Sequence, residues 1–189
     1  MTITPNVGEG SYAQFDGFDT FSYNCIQYLM NNDEMIWRLL YYRTPDAWET
    51  TIEKPDLTYA QKGSLIYKGG DDTTQSSVFL DQGAPDVLTR EDCILRISPH
   101  SIFPENRVVG TVNMILETYC NYHINTLSNY RTRTDMIAKR LIQVFNGSII
   151  EGGLGKLYFD RLAGEANRLE WGGQTPFKGR WMIFSTKSN

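Results

Sequence analysis

From Arg107 to Gly147 the chain carries its clearest pattern. Val109, Thr111, Asn113, Ile115, Glu117 and Tyr119 alternate with Val108, Val112, Met114, Leu116 and Cys120, so a strand from Arg107 to about Tyr122 presents apolar residues on both faces. Such a strand belongs in the middle of a sheet. After a short polar turn, Ile137, Leu141, Val144 and Phe145 recur at helical spacing, while Arg133, Lys139, Arg140 and Gln143 point elsewhere. Thr132 with Asp135 makes a near capping box, and Gly147 stands where a helix ends on a positive φ. The unit predicts a sheet with a helix laid across it.

The remaining pattern builds an α+β domain around this unit. Residues 1–17 are polar and broken by Pro5, Gly8, Gly10 and Gly17, and read as an arm. Asp19 is placed as the N-cap of a helix carrying Phe21, Cys25, Tyr28 and Leu29. Asn31, Asn32 and Asp33 interrupt it, and a second short helix follows. Met35, Ile36, Trp37, Leu39 and Leu40 make that helix apolar nearly all round except at Glu34 and Arg38, which predicts burial on more than one side. From 43 to 91 the periodicity fades among Pro45, Pro55, Gly63, Gly69, Gly70, Gly83 and Pro85. Strand-like pieces remain at Ser64–Tyr67 and Ser77–Leu80, as in an irregular excursion or an extended hairpin.

Cys93–Ser98 reads as a strand, and 99–106, with Pro99 and Pro104, as its connection to the long strand, pairing the two as an antiparallel hairpin. A glycine-rich turn leads into a strand over 156–162. The last strand, 177–186, has Trp181 and Ile183 on one face and Met182 and Phe184 on the other. The expected architecture is a single α+β domain over 1–189: a small, mainly antiparallel sheet with helices packed on it, plus the arm and the excursion.

Composition narrows the function. The 189 residues hold 18 basic and 22 acidic side chains, a net charge of −4, so the chain lacks the global positive field of a non-specific nucleic-acid binder. Cys25, Cys93 and Cys120 stand in no metal-ligand spacing and read as reduced core residues. The start of the chain has neither a basic stretch nor an apolar segment, and no run of about 18 apolar residues occurs, so cytoplasmic synthesis, solubility and no membrane contact are expected.

Chemistry-bearing motifs are few. Gly155-Lys156 suggests a phosphate loop, but position 150 is Ile and Leu157 opens a strand, so a tight turn is the better reading. His100 and His123 have no metal spacing around them, and neither Ser nor Cys stands in a nucleophile elbow. No catalytic, cofactor or metal residue is assigned; the enzyme alternative is a small hydrolase using His123 with Glu117 or Cys120. The basic segment Arg131, Arg133, Lys139 and Arg140, set against Asp135, reads either as a solvated helix face or as a face that meets an acidic neighbour or passing nucleic acid. Tyr41, Tyr42, Trp48, Tyr59, Tyr67, Trp171 and Trp181 exceed what a small core hides, which points to an oligomer or an assembly component. The interface candidates are Arg131, Arg133, Arg140, Tyr59, Tyr67 and Trp171.

Met35-Ile-Trp-Arg-Leu-Leu-Tyr-Tyr42, Pro55-Asp-Leu-Thr58, Ile94-Leu-Arg-Ile97 with its proline-rich connection, the long strand, the helix from Tyr130 to Phe145, Leu157-Tyr-Phe159 and Phe177-Lys-Gly-Arg-Trp-Met-Ile-Phe184 together resemble neck proteins of tailed bacteriophages. That group covers head-tail connectors, tail completion and tail-terminator-like proteins. The resemblance runs from about 18 to 186 and is one of arrangement. It implies a structural virion protein forming a homo-oligomeric ring, hexameric or dodecameric, between portal and tail. Portal, adaptor or tail tube proteins would be its neighbours and DNA would pass through its centre. The arm and the 43–91 excursion would grip adjacent subunits. A non-virion assembly factor or binding module is the alternative.

Overall fold

The computed structural model describes residues 18–70, 76–80, 91–104, 110–151, 155–159 and 177–187. Five helices and five strands are formed among them: α1 Phe18–Asn32, α2 Met35–Tyr41, α3 Tyr59–Ser64, β1 Val78–Phe79, β2 Cys93–Pro104, β3 Gly110–Asn121, α4 Tyr122–Asn125, α5 Arg133–Phe145, β4 Leu157–Phe159 and β5 Phe177–Lys187. The α+β expectation holds. The strands make one sheet in the order β1-β2-β3-β5-β4, with the long strand at its centre. All neighbouring pairs are antiparallel except β1 with β2.

Alternation along β3 sorts the sheet into two faces. Val112, Met114, Leu116 and Cys120 point inward with Leu95, Ile97, Met182 and Phe184 to meet Phe21, Ile26 and Leu29 of α1, Ile36, Leu39 and Leu40 of α2, and Ile137, Leu141 and Phe145 of α5. All three cysteines are buried free thiols, as their composition suggested. Removing this apolar surface from water is the main stabilising term.

Four expectations change in detail. Asp19 lies inside the first turn of α1 rather than before it. The strand expected to stop at Ser98 continues through Pro99 to Pro104 with a bulge at His100, because β1 pairs only with Leu95 and Arg96. Beyond them β2 has no further strand partner on that side among the described residues, where a proline forfeits no ladder bond. Asn121 accepts from the His123 amide and starts α4 where a polar turn was expected.

The 43–91 stretch, expected as an excursion or hairpin, is the fourth change. Its described part contains α3, opened by a full capping box between Thr58 and Gln61, and the parallel strand β1. Lys62 of α3 is buried, donating to the Met30 carbonyl at 2.8 Å and pairing with Glu34, which locks α3 to the α1–α2 junction. The sequence segments 1–17, 71–75 and 81–90 lie outside the described residues.

Candidate interaction surface

The basic segment does not form one face. Arg133, the first residue of α5, is completely buried. Its guanidinium donates to the carbonyls of Leu39 at 2.6 Å, Tyr42 at 2.7 Å, Thr44 at 3.0 Å and Ile124 at 3.1 Å. Leu39 and Tyr42 are at the C-terminal end of α2, where carbonyls lack helical partners and the helix dipole is negative. Arg133 therefore caps α2 from another helix, and its assignment to an interface is corrected: a fork-shaped donor with buried acceptors is drawn inward despite its charge. Arg140 is half-buried and holds the buried Asp33 carboxylate through Nε at 2.7 Å and Nη2 at 2.5 Å. Asp33 also accepts from the Ile36 amide at 2.7 Å at the start of α2.

Of the remaining candidates, Arg131 is exposed, as is Lys139 of the same segment. Tyr59 is 59% exposed and its hydroxyl donates to Gln27. Tyr67 is half-buried against Phe79, ring centroids 5.4 Å apart, and donates to the Gly70 carbonyl. Trp171 lies outside the described residues.

Of the exposed large side chains that were not foreseen, two stand almost wholly in solvent. Tyr130 is 95% exposed and has a left-handed backbone, φ 62°, the only positive φ at a non-glycine among the described residues. Such a conformation costs about 1 kcal/mol or more without burying anything. Ile52 projects fully into solvent from 43–57. That loop is held firmly. Ala47 and Leu57 are buried, the Tyr42 hydroxyl donates to the Pro55 carbonyl at 3.0 Å, and the buried Arg38 donates to Thr50. Pro45 accepts from the Ser128 amide at 2.8 Å and Trp48 donates to the Ser128 hydroxyl at 2.8 Å, so the loop and the turn bearing Tyr130 share one end of the molecule.

Within the loop, the Lys54 ammonium on Asp46, aided by Thr44, holds the Asp46 carboxyl down at about 2. A depressed carboxyl contributes stability above the ordinary carboxylate range near 3.9, lost as pH falls through the folded value. The melting midpoint is therefore expected to fall between pH 4 and 2 less steeply in Asp46→Asn than in the parent. Identical acid profiles would show that this ion pair contributes nothing.

The outer face of the sheet has no described helix on it. Arg96, Glu117, Tyr119 and Trp181 lie across its middle: the Tyr119 hydroxyl donates to Glu117 at 2.7 Å, Arg96 pairs with Glu117 at 3.7 Å, and its guanidinium carbon stands 5.4 Å from the Tyr119 ring centroid. Asn113 links Ser101 at 3.1 Å and Ser185 at 2.7 Å into a polar row across three strands. Tyr119 lies over its partner Gly179, where a Cβ would come within 2.7 Å of the ring. Gly179→Ala is expected to lower stability by about 1–3 kcal/mol through overpacking, read by urea denaturation. A neutral result would show that the ring yields freely.

No hydrogen bond joins the residues of the hydrolase alternative among those described. Cys120 is buried on the helix-covered face, Glu117 is engaged by Tyr119 and Arg96 on the other, and His123 is exposed in α4 with its ring stacked on Tyr122, centroids 3.9 Å apart. Among the described residues there is no group of three or more His, Cys, Asp or Glu placed to hold a metal ion, and no helix is long and apolar enough to cross a membrane.

A family model described as YomW matches residues 33–186, from the aspartate that caps α2 to the end of β5. The chain belongs to the YomW family. This family is phage-associated. Neither the curated proteins nor the solved structures give a significant match. The YomW match thus covers the sheet, α2 to α5 and the 43–57 loop, and begins after α1.

Proposed function

We propose that this YomW protein is a structural, non-enzymatic component of a phage virion, built into the neck between head and tail as a hexameric or dodecameric ring around the DNA path. The observation that carries the reading is the pair Tyr130 and Ile52: large side chains wholly in solvent, one on a strained backbone, mounted on a loop and turn fastened to each other. Rigid exposed aromatic and aliphatic groups are what a subunit contact buries, and fixing them beforehand reduces the ordering cost of assembly. The phage association of the family supports the setting. Arg131 and Lys139 supply exposed positive charge for an acidic neighbour.

Peptide mass analysis of purified particles tests the placement. The chain is expected in several copies per particle; its absence from finished particles would turn the reading to an assembly factor. The double variant Arg131→Glu with Lys139→Glu, and separately Tyr130→Ser with Ile52→Ser, are expected to keep the parent melting midpoint while particle yield falls at least about tenfold, the effect of roughly 1.4 kcal/mol at an interface. Normal yield from both would remove this end of the molecule from the contact.

A further inference from the structure

We infer that Cys93 and Cys120 form an oxidative modification site, in which a small peroxide converts the two thiols into a disulfide stapling β2 to β3. The residues are direct partners across the two strands. Directly opposite side chains share a face, and both thiols lie in the helix-covered core. The hydrogen-bond pattern settles which kind of pair they are. The Asn121 amide donates to the Asp92 carbonyl at 3.0 Å, which makes Asp92 and Asn121 a hydrogen-bonded pair. In an antiparallel ladder the next pair along is non-hydrogen-bonded, with α-carbons about 4.5 Å apart and side chains closest together. That spacing lies within the roughly 4.4–6.8 Å range of disulfides.

The two thiols act on each other. Burial alone would raise the Cys93 thiol, yet neighbouring Cys120 and the positive charge of Arg133 bring it below its ordinary value. Burial and then Cys93 push Cys120 up. The Arg133 charge acts on both thiols, so either sulfur can attack first, and the steps below are written with Cys93 attacking and Cys120 resolving. Neither sulfur reaches the surface, Cys93 being 1% and Cys120 0% exposed, so a small oxidant reaches them as the fold opens locally; a cavity of about 310 Å³ lined by Leu40, Arg43, Leu65, Ser77 and Asp92 lies at the residue preceding Cys93, with the Arg43–Asp92 ion pair at 2.5 Å on its wall.

The chemistry balances with peroxide as the oxidant. The Cys93 sulfur attacks one peroxide oxygen and the O–O bond breaks, leaving Cys93 as a sulfenic acid and releasing water. The Cys120 sulfur then attacks the Cys93 sulfur; the S–S bond forms, the S–O bond breaks, and hydroxide leaves with the Cys120 proton as a second water. Two thiols lose two electrons and the peroxide gains them. The staple closes a loop containing most of both strands and constrains the unfolded chain.

Hydrogen peroxide added to the full-length reduced protein, followed by alkylation in denaturant and peptide mapping, tests the site. A mass loss of about 2 Da, a linked peptide pair containing Cys93 and Cys120, alkylation of Cys25 alone, and recovery of all thiols with dithiothreitol are expected from the chemistry of a single disulfide. The oxidised form is expected to melt above the reduced form, and Cys25→Ala to oxidise as the parent does. Three alkylatable thiols after treatment, sulfinic acid at Cys93 without a linked peptide, a bond involving Cys25, or a staple that lowers the melting midpoint would each overturn the inference.

Discussion

Arg133→Met is expected to lower the unfolding free energy by about 3–5 kcal/mol, the cost of removing one side of a buried charged hydrogen-bond set. The substitution leaves the carbonyls of Leu39, Tyr42, Thr44 and Ile124 without their donor. Methionine fills much of the arginine stem's volume, so the loss reports the polar contacts rather than a cavity. Each stranded buried carbonyl costs about 1–3 kcal/mol, but the four values do not add, because the end of α2 can fray toward water. Against a typical total of about 5–15 kcal/mol, the variant is expected to accumulate poorly. Its urea midpoint drops while the slope stays constant. Arg133→Lys keeps the charge but concentrates its donors at one atom that cannot reach four diverging carbonyls, and is expected to fall between parent and Met. A Met variant within about 1 kcal/mol of the parent would mean that the carbonyls find other donors and that Arg133 holds nothing together.

The Asp33–Arg140 pair gives the second large effect. Asp33→Ala removes the oxygen that takes the Ile36 amide and leaves Arg140 without its partner. Loss of the cap costs about 1 kcal/mol, and the combined loss is expected near 2–4 kcal/mol once the buried carboxylate pair is included. Arg140→Ala strands the Asp33 carboxylate, whose side chain is 0% exposed. Arg140→Glu sets a second carboxylate beside it and is the more damaging of the two. A double-mutant cycle between Asp33→Ala and Arg140→Ala is expected to return a coupling of about 1–3 kcal/mol. A coupling near zero would make this a surface pair with no structural part. Variants at Arg133 and Arg140 therefore test folding, and assembly is tested at Arg131 and Lys139.

Much of the fold was legible because strong periodicity and its burial agree. The two-faced alternation read over 107–122 holds as the central strand β3 at Gly110–Asn121, with Tyr122 passing into α4 and 107–109 outside the described residues. The apolar stripe of Ile137, Leu141 and Phe145 faces the sheet, and Gly147 closes its helix at φ 89°. The short α2 is buried on several sides, including at Arg38. The start of α3 was written in Thr58 and Gln61, whose three-residue spacing is a capping-box signal; six residues among prolines and glycines are too few for a helical period to show. The strand-like piece at Ser77–Leu80 does hold β1, but its parallel pairing had no such signal. Two residues hold no alternation, and its place depends on Leu65 and Tyr67 bonding to it from one side and Leu95 from the other.

The candidate surface was less legible. Tyr59 and Arg131 are exposed as expected, but charge and aromaticity do not reveal which side chains remain in solvent. A single arginine reads the same on a wet helix face as at the end of another helix. Tyr130 gives no sign in sequence of its left-handed backbone, since that conformation is imposed by the turn from Leu127 to Arg131.

Local propensity and the period that one face of an element enforces were enough to give the α+β class, the long central strand, the helix after it, that helix's Thr132 cap and Gly147 end, and the buried state of the cysteines. Packing alone brings Arg133 to the end of α2, Arg140 to Asp33 and Cys93 opposite Cys120. Those are contacts between residues 27 to 107 positions apart. They depend on strand register and helix placement, which are set by how the whole core packs and leave no mark on the neighbours of either residue.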